Sequence, residues 1–211
     1  MATLSGVGLA RFAYTALMPQ MVHAGWFSGE QVAYLGAANL LGYLLGALAA
    51  APLAERMGAL RVLLICWIAV ALSFAGCSLP QPMAVFFVWR LISGMAGAVL
   101  MVLGPSVAMA AADPSRRSIL GPLMFCGIGV GALLAATLVP MFARTSLSAV
   151  WWSLTVLCVM ALWTGWCAAR QISLHAPVPA SPVASAPAPS ASLWSAAVVL
   201  VFIAYACDAF G

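Results

Sequence analysis

Lysine is absent from this 211-residue chain, and acids are almost absent: eight arginines face only Glu30, Glu55, Asp113 and Asp208. Charged residues amount to 6% of the sequence, against about 25% in an average soluble domain. Too little charge is present to cover the surface of a soluble fold of this size. Without lysine there is no P-loop, because that motif needs one on the phosphates. The chain therefore has no Walker site and is not expected to run on ATP, and a retinal Schiff base is excluded on the same ground. The arginines are scattered rather than clustered, which argues against nucleic acid as a partner. Histidine occurs twice, as His23 and His175, with no metal-ligand spacing around either. No metal or other cofactor is expected.

What fills the chain is apolar. Hydrophobic residues make up 65% of it, and the mean hydropathy is +1.12 over the full length. The unit to count is thus the spanning helix, which needs about 20 apolar residues to cross about 30 Å of hydrocarbon. The apolar runs predict helices over 2–22, 31–54, 60–79, 84–110, 119–142 and 150–169. The breaks between them hold Gly25, Glu55–Gly58, Pro80-Gln-Pro82, Asp113–Arg117 and Ala143–Ala149. Met1 leads almost at once into a run containing Arg11, which suits a spanning helix better than a cleavable signal. Cys66, Cys77, Cys126, Cys158, Cys167 and Cys207 lie in or beside apolar runs with no C-x-x-C pair, and read as packing residues.

The expected class is an all-α membrane protein in three parts. Residues 1–170 form a six-helix transmembrane bundle. Residues 171–192 are rich in Pro, Ala and Ser and form a linker that cannot stay helical through its prolines. Residues 193–211 begin a seventh helix, and that run stops without a polar flank, so the polypeptide is expected to continue. With the N-terminus in the cytoplasm, the inner loops hold Arg56, Arg61, Arg116, Arg117 and Arg170 and the outer loops only Arg144. Positive charge collects on the cytoplasmic side, so the N-terminus and the linker are both expected inside the cell.

Small and polar residues inside the runs narrow the reading. Gly42, Gly46 and Ala50 recur every four residues, as do Gly127, Gly131 and Ala135. Such faces let helix backbones approach closely. Gly127-Ile-Gly129-Val-Gly131 lies within an apolar run rather than after a strand, so it reads as packing and not as a nucleotide loop. Arg11 falls near the middle of the first run, with Tyr14 and Thr15 at i+3 and i+4. Asn39 and Tyr43 share a face of the second run. Arg90, Ser93, Gly94 and Gly97 share one in the fourth, and Tyr205 stands three before Asp208. A charge at mid-membrane costs about 2.5–3.5 kcal/mol on insertion scales, and arginine cannot shed its proton. Arg11 must meet an anion, water or backbone carbonyls. Arg90 lies closer to the outer end, where snorkelling toward water is the plain alternative. Asn39, Tyr43, Tyr14 and Thr15 have interhelical hydrogen bonding as theirs.

At this point a family resemblance emerges. Ala51-Pro-Leu-Ala-Glu-Arg-Met-Gly58, with Arg61 after it, is similar to the loop between helices 2 and 3 of the major facilitator superfamily, Gly-x-Leu-x-Asp-Arg-x-Gly-Arg-Arg. Glu55 stands for the Asp, Arg56 and Gly58 match, and Ala51 and Ala59 depart. Arg90-Leu-Ile-Ser-Gly-Met-Ala-Gly97 resembles the Arg-x-x-x-Gly-x-x-Gly pattern of helix 4. Gly8-Leu-Ala-Arg-Phe-Ala-Tyr-Thr-Ala-Leu-Met-Pro19 and Gln31–Gly46 resemble the YbfB/YjiJ-like branch. The resemblance implies the N-terminal half of a twelve-helix secondary transporter of the bacterial inner membrane. Substrate would lie near the midplane between two halves that rock. It also implies that Glu55, Arg56, Gly58 and Arg61 form an inner gating latch.

Arg11, Tyr14, Thr15, Asn39, Tyr43, Arg90 and Asp208 are then the candidate translocation path. Two fixed cations against one carboxylate leave +1 unbalanced, so the expected substrate is a small anion such as a carboxylate, unless the other half supplies an acid. Asp208 is a candidate for proton coupling. The expected partners are the lipid bilayer, a small-molecule substrate, and a missing C-terminal half or second copy. Two other readings stay open: a truncated fragment or half-size subunit that does not transport, and a membrane-embedded enzyme. The latter would need a Ser–His pair, clustered His ligands or paired acids, which the predicted helices lack. The topology is checked by impermeant-maleimide labelling of a cysteine placed between 176 and 192, in a background free of native cysteines. Labelling is expected only after permeabilisation, and labelling of intact cells would invert the arrangement.

Overall fold

The computed structural model describes residues 2–10, 12–113, 115, 117–143 and 145–175. The expectations for Arg11, for Tyr205 and Asp208, for linker positions 176–192 and for the run 193–211 lie outside the described residues. A π-helical segment, Leu4–Leu9, comes first. It is followed by α1 (Phe12–His23), α2 (Gly29–Met57), α3 (Ala59–Gly76), α4 (Met83–Ala111), α5 (Arg117–Ala143) and α6 (Leu147–His175). Every regular element among the described residues is helical.

Five of these helices are long and apolar enough to cross a membrane: α2 to α5, and α6 over Leu147–Cys167. They cover the second to sixth expected runs. At 1.5 Å per residue the 18 residues of α3 reach about 27 Å, close to the hydrocarbon thickness, and the 29 of α2 reach about 43 Å. The first expected run, 2–22, is instead divided. Its π segment carries an i→i−5 bond from Ala10 N–H to the Ser5 carbonyl at 3.2 Å, and α1 begins at Phe12. The sixth run is also longer than expected. Helix α6 is described through His175, five residues into the expected linker. The first proline is Pro177, and a proline disfavours the helical region only from the residue before it, so nothing earlier needs to stop the helix.

Local chemistry sets the ends. Ser28 caps α2: the Gln31 N–H donates to Ser28 Oγ, and the Ser28 N–H donates to Gln31 Oε1 at 2.9 Å. This reciprocal pair satisfies two backbone donors that the first turn leaves open. A single residue, Gly58, separates α2 from α3. Its φ of 85° and ψ of 134° lie outside the left-handed well that Asn visits, in a region open essentially to glycine. That backbone turns the chain sharply between two spanning helices.

Glycines also decide how the helices meet. A methyl on Gly42 would run into the Leu91 carbonyl, one on Gly46 into the Met95 backbone, and one on Gly94 into the Asn39 carbonyl. Helices α2 and α4 therefore touch backbone to backbone. The N-terminal segment does the same between α4 and α5. Gly6 faces Gly97, and a methyl on Gly131 would lie 2.6 Å from the Gly8 Cα. Half of the apolar window of α4 is buried against 11% of that of α5, so α4 is the central post and α5 a peripheral one. At the opposite end from Gly58, Phe27, Phe86 and Trp151 stack edge to face at 5.1 and 5.7 Å. They close the bundle where α2, α4 and α6 begin. Apolar side chains such as Leu44, Leu48, Leu133 and Trp163 stand exposed, as lipid-facing surfaces do.

Gly42→Ala is expected to destabilise the protein by about 1–3 kcal/mol through overpacking. Gly129→Ala, which meets nothing within 4 Å, should be neutral or slightly stabilising, since alanine is the better helix former. Thermal unfolding in detergent, followed by circular dichroism, separates the two. Equal midpoints would mean that the α2–α4 approach is not under steric control.

Candidate functional site

The charged residue most deeply placed among the described ones is Arg90, which is fully buried. It sits on α4, two turns from the helix start, and turns inward rather than snorkelling to water as the plain alternative had it. Its Nη2 donates to the Ala10 carbonyl at 3.2 Å. Its Cζ lies 4.0 Å from the centroid of the Tyr14 ring. The local backbone explains the first contact. Ala10 lies where the π segment gives way to α1, and such junctions leave carbonyls without their regular helical donors. The second contact is a desolvated cation–π pair, worth about 2 kcal/mol. Tyr14 is held for it by its own hydroxyl, which donates to the Val32 carbonyl at 2.8 Å. Arg90 thus ties the N-terminal helical region, α2 and α4 together.

These contacts leave Arg90 under-satisfied. Among the described residues its Nε and Nη1 have no hydrogen-bond partner, and neither do Asn39 Oδ1 or Ser93 Oγ. Asn39 is 5% exposed and Ser93 fully buried. The described carboxylates, Glu30, Glu55 and Asp113, are all exposed at helix ends, so none of them reaches the buried guanidinium. A buried cation with free donors, facing an aromatic ring and a carbonyl, is equipped to receive an anion or polar oxygens.

The other expected residues divide. Tyr14 and Asn39 are buried, and Tyr43 is half-buried. Thr15 lies on the exposed side of α1, because one residue along a helix turns the side chain by about 100°. Glu55, Arg56, Gly58 and Arg61 are all exposed, around the α2–α3 junction. Gly42, Gly46, Gly127 and Gly131 all stand at close helix contacts, Gly127 against the Thr3 hydroxyl. Arg11 and Asp208 fall outside the described residues. Among the described residues no three His, Cys, Asp or Glu side chains gather in a way that could hold a metal.

Sequence reasoning missed a second feature. A cavity of about 220 Å³ opens where the N-terminal segment, α3, α4, α5 and α6 converge, at the end that carries Gly58. Thr3, Trp67, Pro105, Met124 and Thr164 are among its walls. Thr3 Oγ1 donates to the Met124 carbonyl at 2.6 Å, and Trp67 Nε1 donates to Ser5 Oγ at 2.8 Å. The available signal was two small hydroxyls, Thr3 and Ser5, within an otherwise apolar start. None of the expected path residues among the described ones lines this cavity.

Known proteins share this architecture. The family described as "Uncharacterised MFS-type transporter YbfB" matches residues 3–211. An MFS-type transporter, mpsC, of Macrophomina phaseolina (strain MS6) is 33% identical over 91 residues, covering 40% of this chain and 18% of that protein. A glucose transport protein of Synechocystis sp. (strain ATCC 27184 / PCC 6803 / Kazusa) is 30% identical over 96 residues, covering 46% of this chain and 20% of that one. A crystal structure of a double-tryptophan mutant of XylE superposes with a TM-score of 0.64 at 19% identity, covering 77% of this chain and 43% of that chain. The matches thus span about a fifth of each curated relative and less than half of the XylE chain. With the family match running over nearly its whole length, the chain is a multi-pass membrane protein that belongs to the YbfB-like MFS-type transporters.

Proposed function

We propose that the chain forms one half of a secondary transporter that moves a small organic anion by alternating access. The observation that carries this reading is Arg90: a fully buried guanidinium whose Nε and Nη1 lack partners among the described residues. In the present packing it is sealed behind Tyr14 and Ala10. A carboxylate would replace those weak contacts with charge-assisted bonds when the bundle opens. Arg11 and Asp208, on the first run and the start of a seventh helix, are proposed to complete the path, with Asp208 as a proton-coupling group. Tyr14 packs against Arg90, and Tyr14, Asn39 and Tyr43 are proposed to shape the site.

We further infer a six-helix bundle in which the π segment and α1 together make the first span, with the N-terminus and the linker in the cytoplasm. The largely unburied α5, and the Leu40–Leu48 stretch of α2, offer apolar faces to a second half or a second copy. One observation favours a different cargo: a relative named as a glucose transport protein supports a neutral sugar, for which Arg90 would be a structural tie.

Both cargoes are tested in proteoliposomes of the protein that contains this chain, by counterflow of labelled monocarboxylates, dicarboxylates and glucose. Carboxylate uptake is expected, and Arg90→Gln should lower it at least tenfold, the equivalent of about 1.4 kcal/mol, with insertion unchanged. Normal carboxylate uptake by Arg90→Gln, or preference for a cation, would sink the anion reading. Saturable glucose uptake insensitive to Arg90→Gln would install the sugar reading instead.

Glu55, Arg56, Gly58 and Arg61 are proposed as the latch of one access state, with Gly58 supplying the turn and the charges the contacts. Glu55→Gln should reduce the maximal rate several-fold and leave the half-saturating substrate concentration nearly unchanged. Loss of binding with an unaltered access equilibrium would rule the latch out.

A further inference from the structure

A groove runs along the outside of the bundle between α3 and α6, well away from Arg90. Leu64 and Ile68 of α3 and Val159, Leu162, Trp163 and Trp166 of α6 line it, around about 300 Å³ of space. Its walls carry no charge, and Trp163 is 70% exposed. Gly165 explains its shape. A methyl there would meet the ring of Trp67, so the two helices close tightly at the back while Trp163 and Trp166 turn outward.

The groove has a polar end. Helices α3 and α6 run antiparallel, since Trp67 meets Gly165 while Phe74, further along α3, meets Trp151, near the start of α6. Arg170 follows Trp166 by one turn, and its Cζ stands 4.9 Å from a Trp166 ring centroid. Arg61 precedes Leu64 by three residues on the same face of α3. Both arginines are exposed. Among the described residues this end of the bundle carries Arg56, Arg61, Arg117 and Arg170 against Glu55 and Asp113. Glu55 belongs to α2 and Asp113 follows α4, and neither element lines the groove.

An apolar trough, tryptophans at one end and arginines just beyond them match one kind of molecule. Tryptophan rings settle at headgroup depth, and basic pockets between spanning helices take anionic headgroups. We propose that this groove seats an acyl chain of an anionic phospholipid, with the phosphate held by Arg170 and Arg61. A second copy of this chain fits less well, because a two-fold pairing across the groove would bring Arg170 toward its own counterpart. The lipid would brace α6 against α3 at the end where α2 passes into α3 through Gly58. This inference concerns the lipid face and does not rest on the cargo proposed above.

The test uses the purified protein that contains this chain, in phosphatidylcholine vesicles that carry brominated-chain phosphatidylglycerol or brominated-chain phosphatidylcholine. The difference in tryptophan quenching between the parent and the Trp163→Phe/Trp166→Phe pair isolates the groove from the other tryptophans. Quenching at the groove is expected to half-saturate at a lower mole fraction of phosphatidylglycerol. Each arginine should contribute about fivefold, the equivalent of about 1 kcal/mol. Arg170→Gln should remove that factor, and Arg170→Lys should keep most of it. Equal quenching by both lipids overturns the proposal, as does a preference that survives Arg61→Gln/Arg170→Gln. Competition by millimolar inorganic phosphate would reassign the arginines to a soluble anion. Disulfide cross-linking of Val159→Cys between copies would reassign the groove to a dimer contact.

Discussion

Everything in this bundle depends on how closely α2 and α4 approach. Lipid tails are as apolar as leucine, so burying side chains between spanning helices gains little, and association rests on packing contacts and buried polar bonds. Packing contacts fall off within fractions of an ångström of a gap. Gly42, Gly46 and Gly94 remove the side chains that would hold the two backbones apart. Once α2 and α4 are in contact, Asn39 and Arg90 are enclosed by the same seam. The N-terminal segment then fits beside it through Gly6 and Gly8 against Gly97 and Gly131.

The cost of this tight seam falls on its polar groups. A buried polar atom without a partner costs about 1–3 kcal/mol, and more when charged. Among the described residues, Arg90 Nε and Nη1, Asn39 Oδ1 and Ser93 Oγ are such atoms on two neighbouring helices. A bundle selected for stability alone would have replaced them with apolar residues. These atoms stand close to a helical region that passes from π to α winding, so unmet hydrogen bonding gathers in one place. π segments occur often at functional sites for the same reason: a local break frees backbone groups that the regular helix would have consumed.

The helical class and five of the spans were legible in the sequence because each is a long apolar run bounded by polar or Pro/Gly breaks, and a run of that length has one stable form in lipid. The close-packing glycines were legible for a related reason, since spacing by four places side chains on one face. Spacing by four also set Gly127 and Gly131 apart from Gly129, which lies two residues off their face. Gly129 lies in open space and the others against the N-terminal segment, a matter of which face has a neighbour. The division of the first run was hidden because hydropathy does not distinguish π from α winding. The partners of Arg90, the Ala10 carbonyl and the Tyr14 ring, were hidden because they are about 80 residues away in sequence. Thr15 failed to follow Tyr14 inward because a face shared with Arg11 at i+4 does not imply a face shared with the residue next door.

The two ends of the bundle are built differently. At one end Phe27, Phe86, Phe74 and Trp151 form a continuous aromatic cluster, with all four rings nearly or fully buried. Rings packed edge to face gain attraction beyond their buried area, and separating them would forfeit several such contacts at once. At the other end the helices diverge around a 220 Å³ cavity, and α2 is joined to α3 through one glycine in a backbone region that other residues avoid. The structure is therefore tightly plugged where α4 and α6 begin and loosely packed where they end. Arg90, two turns from the start of α4, lies on the plugged side, so its enclosure owes more to the aromatic cluster than to the cavity end.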